Sequence, residues 1–137
     1  MTKNKPQPVD WAQIERFLKS AEKKLTSARK IMAFDEEASL QQAYEAMLKA
    51  SLGFMFSHGW RPRSQPGHHI VIIDFVATRL DKKYAPLLAV FDRLRRKRNT
   101  VLYDDTGFVS QQDAEQALVA ARDLLDIIRV DIEIRKP

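Results

Sequence analysis

Cysteine is absent from the 137 residues, so the chain has neither a disulfide framework nor a thiolate nucleophile. A zinc site would have to be built from its three histidines and carboxylates. A reducing, cytoplasmic setting is the natural expectation. Long apolar runs are missing as well. None approaches the roughly 18 residues that a membrane-spanning helix needs, and the opening MTKNKPQPVD has no hydrophobic segment to serve as a signal peptide. No membrane association is expected. Internal repeats and low-complexity linkers are lacking too, and the length suits a single core better than two.

What is present is an ordinary apolar share of 45% and a slightly rich charged share of 30%, as solvated outer faces of helices require. Lys and Arg exceed Asp and Glu, for a formal charge of +5. That balance suits an anionic partner, because clustered cations attract phosphate and release its counterions, but many basic proteins bind no nucleic acid.

Hydrophobic periodicity predicts helices throughout. Trp11, Ile14, Leu18, Ala21, Leu25, Ala28 and Met32 alternate at spacings of three and four along one stripe, with Asp10 as N-cap. After the acidic stretch 35–38, Leu40, Ala43, Tyr44, Met47, Leu48, Phe54 and Met55 surround much of a second helix, which therefore reads as central. Gly59 follows as a C′ residue, and 60–67, with two prolines, reads as a loop. GHHIVIIDFVATRL (67–80) is rich in strand formers, yet a lone strand would have no partner, and Ile70, Ile73, Ala77 and Leu80 keep helical spacing. Pro86 is tolerable only in a first turn, so a fourth helix starts near Tyr84 or Ala85 and runs to about Tyr103. Beyond a turn at 104–107, Ser110 and Asp113 form a capping-box-like start to a last helix marked by Leu118, Ala121, Leu125, Ile128 and Ile132. The expected architecture is all-α: an antiparallel up-and-down bundle of four long helices plus one short helix, spanning 10–134, with residues 1–9 as a flexible tail. Any apolar surface left exposed at Met55, Phe56 or the Trp60 loop would be covered by homodimerisation.

The fourth helix carries the chemistry. Its stripe reads Leu87, Phe91, Leu94, Arg98, Val101, so an arginine stands where the period calls for an apolar side chain. A guanidinium there needs carboxylates, carbonyls or a phosphate, since an unpaired buried charge is costly. Asn99 and Tyr103, four apart, share an adjacent face with Arg95. The same residues admit a plainer reading. Arg98 can extend past the bundle's end or pair with an internal Asp, and Arg93, Arg95, Arg96 and Lys97 can be a solvated face favoured by the helix dipole.

The segment RLRRKRNTVLYDD (93–105) resembles the signature of HEPN domains, small helical bundles in which an Arg, usually followed by Asn, precedes a His by four to six residues. The long first helix, the second ending in SHGWRP, the short GHH-led helix and the amphipathic last helix follow the family's order over almost the whole chain. In catalytic members the resemblance implies metal-independent endoribonuclease chemistry, with Arg and His of two protomers facing across a dimer cleft. Arg98 then matches the family's Arg, Asn99 its polar neighbour and Tyr103 its His. The last match is a departure. Imidazole, with a pKa of about 6.5, exchanges protons near neutrality, whereas a phenol of pKa about 10 stays protonated and is a poor general base.

Tyr103 is the candidate catalytic partner of Arg98, and Arg95, Asn99 and Arg96 are candidate nucleic-acid or nucleotide ligands. Some family toxins act with an MNT-type nucleotidyltransferase that modifies a Tyr two residues after the His; here that position is Asp105, and the role is not carried over.

Adjacent histidines on a helix point roughly 100° apart, poor geometry for joint chelation, and Gly67-His68 reads as a helix start. His68 is kept as an auxiliary residue that would replace the absent imidazole if it reaches the cleft. Neither a metal nor another cofactor is implied. The leading expectation is a toxin-related homodimer whose cleft binds RNA or a nucleotide, with ribonuclease activity weak or lost. The alternative is a non-catalytic interaction module that pairs with a nucleotidyltransferase or another toxin–antitoxin component.

Overall fold

A computed structural model describes residues 4–64, 66–100 and 108–137, together with the backbone of 101–103. Among these residues it contains five α-helices and one two-stranded sheet.

Helix α1 (Trp11–Ile31) begins where Asp10, in extended backbone, accepts hydrogen bonds from the N–H groups of Ala12 and Gln13 at 3.0 and 3.2 Å. Its buried residues are Ile14, Leu18, Ala21, Leu25 and Ala28, the stripe read from the spacing. Helix α2 (Glu36–Ser57) starts sooner than its apolar pattern indicates, because Asp35 caps the Ala38 N–H and leaves Glu36 and Glu37 in the first turn, where the dipole favours them. It buries most of its surface, leaving a partly exposed face at Glu45, Leu48, Lys49 and Leu52, and runs through the centre of the molecule. Gly53 lets α1 approach it: a Cβ there would lie 3.3 Å from Leu18 Cδ2 and 3.4 Å from Phe17 Cβ.

Gly59, at φ +81°, turns the chain back from the end of α2. Two expectations are corrected at this point. Strand β1 (Asn4–Pro6) pairs antiparallel with strand β2 (Trp60–Pro62), Lys5 opposite Arg61, and Gln7 N–H donates to the Gly59 carbonyl at 2.9 Å. Residues 4–6 are therefore a clasp and no loose tail, and the start of 60–67 is strand instead of loop. A three-residue ladder at the surface needs no alternating apolar pattern, so periodicity could not reveal it.

Helix α3 (His68–Arg79) confirms the choice of helix over strand, but of the expected inner face only Ile73 and Leu80 turn inward. Ile72, Ile73, Phe75 and Val76 are buried, whereas Ile70 is 42% exposed and Ala77 lies outside the core. With apolar residues at every position of 70–73, spacing alone cannot fix which face turns inward. A 3-10 turn (Lys82–Tyr84), capped by Asp81, leads into helix α4 (Ala85–Tyr103), whose Leu88, Phe91 and Leu94 enter the core. The turn expected at 104–107 lies outside the described residues. Helix α5 (Gln111–Arg135) opens with a full capping box, Ser110 and Asp113 each accepting the other's backbone N–H at 3.0 Å. Its inner face is rich in alanine, Ala114, Ala117, Ala120 and Ala121, before Leu124, Leu125, Ile128 and Ile132. Arg122 grips Glu22 through both terminal nitrogens, at 2.5 and 3.0 Å, fixing α5 against α1.

Met55 is fully buried and Phe56 is 8% exposed. Those two residues therefore need no second chain to cover them, while Leu48, Leu52 and Trp60 stay partly exposed. Among the described residues, no helix is long and apolar enough to cross a membrane.

Candidate anion-binding cleft

The last turns of α4 lie beside the first turn of α3, and between them opens a cleft of about 690 Å³. Arg95, Arg98 and Asn99 come from one wall, and Gly67, His68 and His69 from the other. Gly67 sits at φ +79° as the N-cap of α3, a conformation natural to glycine, with no side chain to cap the helix.

The basic run on α4 divides by partner. Asp92 takes both Arg95, Nε to Oδ1 at 3.0 Å, and Arg96, at 3.2 Å. Lys97 reaches Asp113 at 3.8 Å, across to the start of α5. For Arg98 no carboxylate stands within ion-pair distance among the described residues. Its guanidinium carbon lies 5.6 Å from the centre of the Tyr44 ring, a cation–π contact, and its buried Nε has no hydrogen-bond partner among those residues. The helix stripe thus includes a cation that is half-buried, held against an aromatic ring and lining a cleft.

Tyr44, on α2, is fully buried, with its ring edge-on to Phe91 at 5.7 Å between centroids. Its hydroxyl lies 3.1 Å from His69 Nδ1. Burial pushes the phenol well above its ordinary pKa, against the opposing pull of Arg98 and Arg95. His69 is displaced downward, first by burial and then by the positive charges of His68, Arg98 and Arg95. The phenol hydroxyl and the imidazole Nδ1 share one hydrogen bond, whose donor is set by the His69 tautomer. His69 also lines the cleft. With the guanidinium of Arg98 and the amide of Asn99 across from it, the cleft is suited to holding an anion.

Of the residues expected at the site, Arg95, Arg98, Asn99 and His68 line this cleft. Arg96 does not: its side chain is 63% exposed and engaged with Asp92. Tyr103 occupies the last turn of α4, and its side chain lies outside the described residues. Tyr44 and His69 were missed. Tyr44 read only as part of an apolar surface, although a fully buried tyrosine needs a partner for its hydroxyl, and that need was the available signal. His58 is remote from the cleft, packed edge-on against Phe54 and Phe75. Among the described residues there is no group of three or more His, Cys, Asp or Glu able to hold a metal ion.

A family model for the HEPN domain matches residues 14–131. The chain belongs to the HEPN family. Comparison with curated proteins returns no match.

Proposed function

We propose that this cleft binds a phosphate-bearing ligand, RNA or a nucleotide, with Arg98 as the principal contact, assisted by Arg95 and Asn99. The cleft would lie at a homodimer interface, and ribonuclease turnover would be weak or lost. One observation carries the reading: Arg98 is a half-buried guanidinium facing an open cleft, stacked on Tyr44 and without a carboxylate partner among the described residues. Arg95, Arg96 and Lys97 are engaged with Asp92 and Asp113, which leaves Arg98 as the cleft-lining cation of the run suited to an incoming anion. Weak turnover follows from proton chemistry. Tyr103 stands at the family's His position, and a phenol is a poor general base near neutrality.

Binding of a labelled single-stranded RNA and of ATP, measured at low and moderate salt, tests the reading. Affinity should fall as salt rises and should drop at least about tenfold in Arg98→Ala, while the helical circular-dichroism signal is retained. Equal affinity in the variant would move the site elsewhere. Loss of fold would make Arg98 structural. An absence of binding by the wild type would favour a protein-interaction module instead.

A further inference from the structure

A second cavity, of about 340 Å³, adjoins the cleft, and its lining is divided by origin. The helices supply apolar side chains: Phe17 from α1, Leu48, Leu52 and Phe56 from α2, and Ile72 from α3. Of these, Phe17, Leu48 and Leu52 are only partly covered by the core. The β1–β2 clasp and the residue that follows it supply three cations, Lys5, Arg61 and Arg63. Lys5 and Arg61 stand directly opposite in the ladder, and Arg63 follows Arg61 by two, the spacing that keeps one face of an extended chain. Like charges set opposite each other weaken a strand pair. No carboxylate relieves them. Among the described residues none stands within ion-pair distance of Lys5, Arg61 or Arg63, and the buried Nε of Arg61 has no hydrogen-bond partner.

Cations from the clasp and hydrocarbon from the helices, brought to one cavity, match a ligand with a single anionic end and an apolar body. We propose that the cavity binds a small amphipathic carboxylate, its body against Phe17, Leu48 and Leu52 and its carboxylate on Arg61, with Lys5 and Arg63 completing the cationic side. The site is separate from the anion cleft and does not depend on it, although Ser64, His68 and His69 border both. Its volume lies at the small end of ligand sites, which suits a compact head group. A carboxylate can engage a guanidinium side-on through Nε and one terminal nitrogen, and Nε is the Arg61 atom left without a partner. Bound there, it would offset the repulsion between Lys5 and Arg61 and tighten the clasp. The half-covered apolar side chains would leave water in the same event.

Calorimetric titration of the full chain with octanoate, acetate, 1-octanol, octylamine and octyl phosphate tests this. Octanoate should bind saturably and at least about tenfold tighter than acetate, which lacks the body, or 1-octanol, which lacks the charge. Octylamine should not bind. Arg61→Gln should bring octanoate down to the affinity of 1-octanol, while its urea midpoint stays level or rises, because a repulsion has been removed. Arg98→Ala should leave octanoate binding unchanged, which separates this site from the cleft. Octanoate binding no tighter than 1-octanol to the wild type, a comparison that needs no variant, would overturn the carboxylate site. So would tighter binding of octyl phosphate, which would assign the cavity to phosphate esters, or octanoate binding that disappears with Arg98. A lower urea midpoint in Arg61→Gln would make that cation a structural part of the clasp and overturn its role as the ligand's contact.

Discussion

Arg98 meets two demands that usually conflict: it takes a core position on the stripe of α4, and it keeps its charge without a carboxylate partner among the described residues. The ring of Tyr44 reconciles them, offering a π face in place of a counterion. That Arg98 was special could be read directly from the sequence, because it interrupts an apolar period. Its supporting pair could not. Tyr44 and His69 lie 25 residues apart, and no local spacing links them. The family pattern marks Tyr103 as the other departure. If proton transfer is the missing step, Tyr103→His should create or raise RNA cleavage near neutral pH, by the roughly 10² to 10⁴ that general acid or base help contributes. Cleavage of a labelled RNA by the wild type, the single variant and the same variant with Arg98→Ala checks this. The gain should vanish in the double variant. Vigorous cleavage by the wild type would contradict a crippled site.

Element boundaries were legible wherever a cap or a single apolar stripe defines them, as at Asp10, Ser110 and Pro86. They were not where the signal is saturated, as in the phase of α3, or absent, as in the β1–β2 clasp. The end of α2 is held by tertiary contacts of the kind no local pattern reports. Arg135, in the last turn of α5, donates to the Ser57 carbonyl at 3.2 Å and to its hydroxyl at 2.7 Å, while Asp131 accepts from the same guanidinium. Beside it, burial foremost and then Arg135 hold the His58 pKa down to about 4.

A histidine depressed in the fold binds protons more readily when unfolded, so stability rises with pH between the two values. The His58 contribution is complete above the unfolded pKa of about 6.5 and is lost as pH falls through the window to about 4. His69 shifts in the same direction and adds to the effect. Urea unfolding should give a lower midpoint at pH 5 than at pH 7, and His58→Gln should narrow that difference. An unchanged difference in the variant would remove His58 from the account.

For the molecule as a whole, the bundle class was readable because each long helix carries its own apolar stripe, and the HEPN match over 14–131 agrees with it. The expected case for a dimer loses Met55 and Phe56, which one chain buries, while Leu48, Leu52 and Trp60 stay partly exposed. Homodimerisation now rests on the composite cleft proposed from the family. Light scattering at micromolar concentration should give about twice the 15.8 kDa chain mass. A single-chain mass would remove the second protomer from the site.

The proposed anion site has a direct reporter in the three histidines. His68 and His69 line it, whereas His58 packs among Phe54 and Phe75 away from it. An NMR titration of the wild type with ATP, following the three imidazole signals, therefore reads the site without any substitution. The account predicts saturable shifts for His68 and His69, with the His58 signal unmoved. Saturable ATP binding that leaves His68 and His69 in place, or that moves His58 alone, would contradict it.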